Sequence, residues 1–130
     1  MTREELKAAA IAMLDRAYIP YSHFPVGAAL ECSDGTVITG CNIENASFGP
    51  TICAERTAVA KAVSEGHTDF VRIVVAGRSK GYCVPCGVCR QVLREFAPDI
   101  EIICLNGAGE EQIFTLTELL PHSFGPEFLA

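Results

Sequence analysis

Three cysteines, Cys53, Cys86 and Cys89, have the residue type and spacing of a metal-binding cluster. Cys86 and Cys89 are three residues apart directly after Pro85, so both sulfurs can face one point at the start of a helix. Cysteine thiolates in this spacing are common ligands of zinc. Three protein ligands leave the fourth tetrahedral position open, as in catalytic zinc sites. With Cys53 as the third ligand, the cluster would therefore hold one catalytic zinc ion per chain.

Two charged residues close to Cys53 extend this cluster. Glu55 is two residues from Cys53, a spacing that directs its side chain away from the sulfur, so we do not expect it to be a fourth ligand. A carboxylate beside the open position suits proton transfer. Arg56 can hydrogen-bond to the thiolates and offset their charge, as helix N-termini also do. The alternatives are a Glu55 that only stabilises the helix dipole and an Arg56 that is solvated.

Other interpretations of the cysteines remain open at this point. A C-x-x-C pair also occurs in thioredoxin-like redox motifs, although those follow the first strand of a differently ordered fold. The chain contains seven cysteines, an odd number, which favours metal ligation or buried free thiols over a disulfide framework. A structural zinc site would need a fourth ligand, for which the candidates are Cys32, Cys41, Cys83, Cys104, His23, His67 and His122.

The composition limits the kind of partner this chain can bind. With 130 residues, 49% of them hydrophobic, we expect a single domain spanning residues 1–130. The formal net charge is −6, and no run of basic residues occurs. This charge disfavours binding to a nucleic acid phosphate backbone, whereas a small neutral substrate is compatible with it.

The N-terminal sequence Met-Thr-Arg-Glu-Glu-Leu-Lys lacks the features of a signal peptide. No apolar run approaches the length needed to cross a membrane. We therefore expect a cytoplasmic protein without membrane partners.

Hydrophobic periodicity and turn residues predict nine elements in the order α-β-β-α-β-α-β-β-α. Thr2 and Glu5 form a capping box at the start of the first helix, and Asp34-Gly35 predicts a tight turn between the first two strands. The predicted helices span residues 2–17, 51–64, 85–97 and 117–120. The predicted strands span 26–32, 37–42, 70–76, 100–105 and 112–115.

This order predicts an α/β fold, a three-layer α-β-α sandwich with a mixed five-stranded sheet. Cys53 and Glu55 fall at the start of the second helix, and Cys86 and Cys89 fall at the start of the third. Two helix starts that both follow loops can meet at one edge of such a sheet. We therefore expect the fold to bring the three cysteines together.

Several stretches resemble one enzyme family. Cys53-Ala54-Glu55 combined with Pro85-Cys86-Gly87-Val88-Cys89 is similar to the signature of the zinc-dependent nucleobase deaminases in its three-cysteine version. The segment from Tyr21 to Leu30 and the segment from Gly40 to Ala46 look like further patterns of the small homotetrameric cytidine deaminases. The resemblance covers most of the chain, from the first helix to Pro121.

The resemblance implies hydrolytic deamination of cytidine and 2'-deoxycytidine in pyrimidine salvage, on a cytidine deaminase-like fold. Glu55 would move protons between water, a ring nitrogen and the departing ammonia. Asn42 and Glu44 would bind the ribose hydroxyl, Phe24 would pack on the pyrimidine, and the backbone of Ala54 would meet the base carbonyl. An amide and a carboxylate two residues apart suit a sugar hydroxyl, and an exposed aromatic ring suits stacking.

The resemblance also implies a homotetramer in which Phe48 and Phe124 reach the site of a neighbouring subunit. The sequence departs from the family pattern near these positions. Phe48 replaces the Tyr of many relatives, so a hydroxyl contact there is missing, and Val84 stands where Ser often precedes Pro-Cys. Cys83 is an additional thiol close to the predicted site and a possible point of oxidation.

Three other functions compete with this one. A deaminase of a cytosine-containing antibiotic such as blasticidin S would not need the Asn42 and Glu44 segment. A polynucleotide-editing deaminase would usually carry His in place of Cys53 and a basic surface, and this sequence has neither. A non-catalytic zinc module would not depend on Glu55.

Overall fold

Five strands form one mixed sheet in the computed structural model, which describes residues 1–130. The sheet order is β2-β1-β3-β4-β5. Only β3 and β4 pair in parallel, and the other neighbours are antiparallel. This arrangement confirms the predicted mixed five-stranded sheet. The strands are Val26–Cys32 (β1), Val37–Cys41 (β2), Phe70–Gly77 (β3), Glu101–Leu105 (β4) and Glu111–Thr115 (β5).

The four helices lie close to their predicted positions. The helix α1 begins after Thr2, whose side chain forms the predicted capping box with Glu5. It is shorter than predicted, because the chain tightens into a 3-10 turn over Met13–Arg16. A second 3-10 turn, Pro126–Phe128, was not predicted. The helices are Arg3–Ala12 (α1), Ala54–Ser64 (α2), Gly87–Phe96 (α3) and Leu116–Leu119 (α4).

Alternate residues of the central strands face opposite sides of the sheet, as the pleat requires. On one side, α1 buries Leu6 and Ala10 against Ala29, Val74 and Ile103. The opposite face of the sheet packs against α2 and α3, whose buried residues include Ala58, Val59 and Leu93. Helices therefore cover both faces, and the predicted three-layer α-β-α sandwich is confirmed.

A close approach between β2 and α2 fixes the start of α2. A Cβ atom added at Gly40 would lie 2.5 Å from the carbonyl oxygen of Ala54 and 2.7 Å from the backbone nitrogen of Ala58. Any larger residue would push the helix away from the strand. Gly40 therefore positions the helix start that carries Cys53 and Glu55.

The starts of α2 and α3 differ from the prediction. The helix α2 begins at Ala54 rather than at residue 51, because Ile52 forms a β-bridge with Ile43. The helix α3 begins at Gly87 rather than at residue 85. Cys53 and Cys86 are therefore the N-cap residues of the two helices, with extended backbones and no capping bond from their side chains. Their sulfurs remain available for another partner.

None of the helices has both the length and the apolar character needed to span a bilayer.

Candidate active site

The sulfurs of Cys53, Cys86 and Cys89 converge where α2 and α3 begin. All three lie within 4.8 Å of one another, with 3.8 Å between Cys53 and Cys86 and 3.6 Å between Cys86 and Cys89. Cys89 is buried and Cys86 is exposed, so the cluster opens toward solvent on one side. The fold thus brings together the three residues that the sequence predicts as metal ligands.

No fourth ligand joins this cluster. The other cysteines and the three histidines, including the nearby Cys83, lie outside the group of converging sulfurs. A zinc ion bound here would keep one position open for water or substrate, as catalytic zinc sites do. This geometry disfavours the structural zinc site considered above.

The charges around the sulfurs fit a bound cation. The pKa of the Cys53 thiol is lowered to about 5, first because the Cys89 thiol donates a hydrogen bond to it and then because of the Arg56 guanidinium. Arg56 Nη2 donates to Cys53 Sγ at 3.5 Å. Arg56 Nε is buried without a hydrogen-bond partner. An orphaned donor beside three sulfurs fits thiolates that have lost their protons to a metal.

Replacement of Arg56 by Gln is expected to weaken zinc retention. Outer-shell partners of metal ligands typically contribute about 10–100-fold to metal affinity. Gln removes the positive charge from the thiolates but keeps a hydrogen-bonding group. Competition with a zinc chelator would measure the change, and Arg78→Gln is the matched control because Arg78 pairs with Asp15 instead. Equal zinc affinity in the Arg56 variant and the wild type would contradict this role.

Glu55 is the second residue of α2 and is only 4% exposed. Burial, with a smaller contribution from the charge on Cys53, raises the pKa of its carboxyl to about 7. A buried carboxyl beside the sulfurs differs from an ordinary first-turn glutamate, which is solvated. Its place on α2 keeps it out of the group of sulfurs, as its spacing from Cys53 predicts.

Asn42 and Glu44 hold the loop that precedes β1. Asn42 Oδ1 accepts from the backbone N–H of Val26 at 2.9 Å, and its Nδ2 donates to the carbonyl of Phe24 at 2.8 Å. Glu44 Oε1 accepts from the backbone N–H of Tyr21 and of Ser22, at 3.0 and 3.1 Å. The sequence predicts these two side chains as sugar ligands, and the structure gives them this additional role.

Phe24 and Ala54 occupy different environments. Phe24 lies in the same loop, and its ring is half exposed. Ala54 is the first residue of α2 and is fully buried. The first N–H groups of a helix have no intrahelical partner, so the N–H of Ala54 can serve an external acceptor.

The two aromatic residues expected to reach a neighbouring subunit are exposed. Phe48 is 78% exposed and makes an edge contact with Tyr21, with ring centroids 6.5 Å apart. Phe124 stacks on Phe128 at 5.2 Å, and its carbonyl accepts a hydrogen bond from Gln91 of α3 at 3.0 Å. Both rings therefore offer apolar surface outside the core.

The structure adds two residues that the sequence analysis did not assign. Ser22 donates its hydroxyl hydrogen to Glu44 and accepts from the N–H of Phe24, so it joins the carboxylate to the loop. Arg90 donates to the carbonyls of Pro85 and Leu119, at 2.7 Å each, and thereby fixes the segment before Cys86. Ser22 lies in the Tyr21 to Leu30 segment and Arg90 follows Cys89, but no local pattern assigns either of them a role.

Comparisons with known proteins agree with this geometry. Residues 1–105 match the family model described as the cytidine and deoxycytidylate deaminase zinc-binding region. A cytidine deaminase of Halalkalibacterium halodurans is 51% identical over 98% of this chain and 97% of its own. A blasticidin-S deaminase of Bacillus cereus is 35% identical over 74% of each chain.

The same relationship holds in three dimensions. The crystal structure of cytidine deaminase from Burkholderia pseudomallei superposes with a TM-score of 0.91 at 45% identity, covering 95% of this chain and all of that one. A family match over most of the chain and relatives of this identity leave one conclusion. The chain belongs to the zinc-binding cytidine and deoxycytidylate deaminase family.

Proposed function

We propose that this chain hydrolyses cytidine and 2'-deoxycytidine to uridine and deoxyuridine, with release of ammonia. One observation carries the proposal: three sulfurs converge beside the buried carboxyl of Glu55 and leave a coordination position open. Two similar proteins, from Halalkalibacterium halodurans and Burkholderia pseudomallei, are cytidine deaminases, which supports the choice of cytidine.

Cys53, Cys86 and Cys89 would hold the zinc ion, one per chain. Zinc with three protein ligands supplies a water nucleophile at neutral pH. Glu55 takes a proton from the attacking water and delivers it to the pyrimidine ring nitrogen. It then carries the remaining proton of the added hydroxyl group to the departing amino group, which leaves as ammonia. Arg56 offsets the negative charge of the sulfurs throughout.

The substrate would be oriented by the loop before β1 and by the start of α2. Phe24 packs on the pyrimidine ring, and the N–H of Ala54 donates to the base carbonyl. Asn42 and Glu44 bind the ribose hydroxyl through the hydrogen-bonding capacity that the loop leaves unused. The same two side chains thus set both the loop position and the preference for a nucleoside.

Replacement of Glu44 by Gln is expected to raise KM for cytidine with a smaller change in kcat, because the group contacts the sugar rather than the reacting carbon. Steady-state kinetics would measure this effect. Ser22→Ala is the matched variant, since it loosens the loop but leaves the carboxylate in place. Equal KM values for Glu44→Gln and the wild type would remove Glu44 from the sugar site.

The wild type and the Glu44→Gln variant also test the two rival functions, a blasticidin S deaminase and a non-catalytic zinc module. A blasticidin S deaminase would act on that antibiotic and would tolerate Glu44→Gln. A non-catalytic zinc module would show no ammonia release from any cytosine compound. The buried Glu55 favours an enzyme over a non-catalytic module. A structural zinc site has four protein ligands and needs no buried carboxyl beside them.

We further propose that the chain is a single domain, acts in pyrimidine salvage in the cytoplasm and assembles into a homotetramer. The exposed rings of Phe48 and Phe124 support an assembly in which each completes a neighbouring site. Light scattering after size-exclusion chromatography is expected to give the mass of four 13.9 kDa chains. A monomer with full activity would refute the contribution of these residues.

The first experiment combines a cytidine assay with a zinc measurement on the same dialysed sample. Conversion to uridine by protein that retains about one zinc per chain would support both the reaction and the metal. Bound zinc without turnover of cytidine or deoxycytidine would favour one of the rivals. Active protein without zinc would overturn the mechanism.

A further inference from the structure

A second group of metal-ligating side chains lies where the turn between β1 and β2 meets the C-terminal end of α2. The sulfur of Cys32, a carboxylate oxygen of Asp34 and a ring nitrogen of His67 all lie within 4.8 Å of one another. The cluster of Cys53, Cys86 and Cys89 begins at the opposite end of the same helix. Because α2 has 11 residues and rises about 1.5 Å per residue, roughly 16 Å separates its two ends.

We propose that Cys32, Asp34 and His67 form a second binding site for a divalent transition metal ion of the zinc class. A thiolate, an imidazole and a carboxylate are the three side-chain ligand types of zinc. Their mixture disfavours magnesium and calcium, which prefer sites made of oxygen ligands. The site lies outside the catalytic cluster and is independent of the reaction proposed above.

Backbone hydrogen bonds fix two of the ligands before any metal arrives. Cys32 ends β1 at an irregularity in its pairing with β3, and its N–H donates to the carbonyl of Thr36 at 2.8 Å. Asp34 Oδ1 accepts from the N–H of Thr36 at 2.9 Å. One carboxylate oxygen thus holds the turn, and Oδ2 remains free to face His67.

A backbone hydrogen bond to α2 positions the third ligand, His67. Gly66 has a φ of +93°, which ends α2, and the N–H of His67 then donates to the carbonyl of Ala62 at 2.9 Å. The N–H of Ser33 donates to the carbonyl of Asp69 at 2.9 Å and ties the turn to the segment after the helix. Little reorganisation is therefore needed to bind an ion.

The spacing of the polar atoms fits metal ligands better than a direct bond. His67 Nδ1 and Asp34 Oδ2 are 3.6 Å apart, which is too long for a good hydrogen bond. Two ligands at about 2.1 Å from a tetrahedral ion lie about 3.4 Å apart. These two atoms thus need only a small shift to share one ion, and Cys32 Sγ lies within 4.8 Å of both.

Local charge also favours a cation. Asp34, Asp69, Glu31 and Glu65 all lie close enough to act electrostatically on Cys32. Arg72 neutralises Glu31 through a 2.6 Å ion pair, whereas Asp34, Asp69 and Glu65 have no ion pair with a lysine or arginine. On binding, the thiol proton of Cys32 passes to solvent as the sulfur–metal bond forms. The bound ion would join the β1–β2 turn to the end of α2 and stabilise the fold.

The test adds Co²⁺ to the dialysed holoenzyme and follows the charge-transfer absorption that a new thiolate–cobalt bond produces. We expect about one Co²⁺ bound per chain, no release of zinc to a chromogenic chelator and a melting temperature that rises with Co²⁺ concentration. Absence of the absorption at saturating Co²⁺, or its appearance only as zinc is released, would overturn the proposal.

Substitutions of the three proposed ligands test whether these side chains bind the added metal. Cys32→Ala is expected to lose the absorption and retain cytidine turnover, which also reports that it is folded. His67→Gln and Asp34→Asn, at partly exposed positions, are expected to weaken Co²⁺ binding by more than tenfold, and Asn keeps the bond to Thr36. Glu65→Gln removes a nearby charge without removing a ligand and should bind Co²⁺ nearly as the wild type does. Unchanged binding in both His67→Gln and Asp34→Asn would refute the site.

Discussion

Replacement of Glu55 by Gln is expected to lower kcat for cytidine by about 10²–10⁴-fold, the range that a positioned general acid–base group contributes. Gln has nearly the same size and can still hydrogen-bond, but it cannot carry the proton between water, ring nitrogen and amino group. Steady-state assays of ammonia or uridine formation would measure the loss.

Two further measurements make the Glu55→Gln result specific. Zinc content should stay near that of the wild type, because Glu55 is not among the converging sulfurs. The melting temperature should be unchanged or higher, since a neutral amide replaces a carboxyl whose pKa burial has raised. If the variant retains zinc, fold and full activity, Glu55 has no part in the mechanism. It would then only stabilise the helix dipole of α2.

Replacement of Cys89 by Ala is expected to abolish both stoichiometric zinc binding and cytidine turnover. Cys89 is fully buried in the cluster, and alanine offers no ligand atom in its place. Two thiolates bind zinc much more weakly than three, and the activated water is lost with the metal. Zinc analysis after dialysis and a cytidine assay on the same sample measure the two effects.

Cys83→Ala is the matched control for the Cys89 variant. Cys83 is close enough to the site for Glu55 and Cys53 to act on it electrostatically, and burial raises the pKa of its thiol to about 11. It lies outside the metal-binding group, so its removal should leave zinc content and turnover near wild type. Zinc loss in Cys83→Ala would indicate a fourth ligand and a structural site. Retention of zinc and activity by Cys89→Ala would overturn the proposed ligand set.

Much of the fold follows from local sequence patterns. Apolar runs predict β1 to β4, because buried strands are apolar on both faces, and the turn residues after β4 mark β5, which is mostly exposed. The capping box at Thr2 and Glu5 marks the first helix correctly for a local reason, the hydrogen bonds between those two residues. The start of α2 depends on a distant partner through the bridge from Ile52 to Ile43. The end of α1 and the start of α3 also differ from the prediction.

Some features of the candidate site follow from local sequence, and others result only from packing. The spacing of Cys86 and Cys89 and the two-residue separation of Cys53 and Glu55 are local, and they predict metal binding and proton transfer. The deamination reaction is what the resemblance to the deaminase family implies. Sequence alone could not show that Glu55 is buried or that Arg56 has an orphaned donor, because both result from packing between α2 and its neighbours. No local pattern indicates the role of Ser22, because its partner Glu44 is 22 residues away.

The sequence by itself determined the residue chemistry: the three thiols, the carboxylate two residues from one of them, and the order of helices and strands that separates them. The tertiary structure brought together the three cysteines that the sequence predicts as ligands, and it alone decided where the other four cysteines lie. It grouped Cys53 with Cys86 and Cys89, and it grouped Cys32 instead with Asp34 and His67. The physical reason is that helix starts and strand ends distant along the chain meet only when the sheet order and the packing of α2 are fixed.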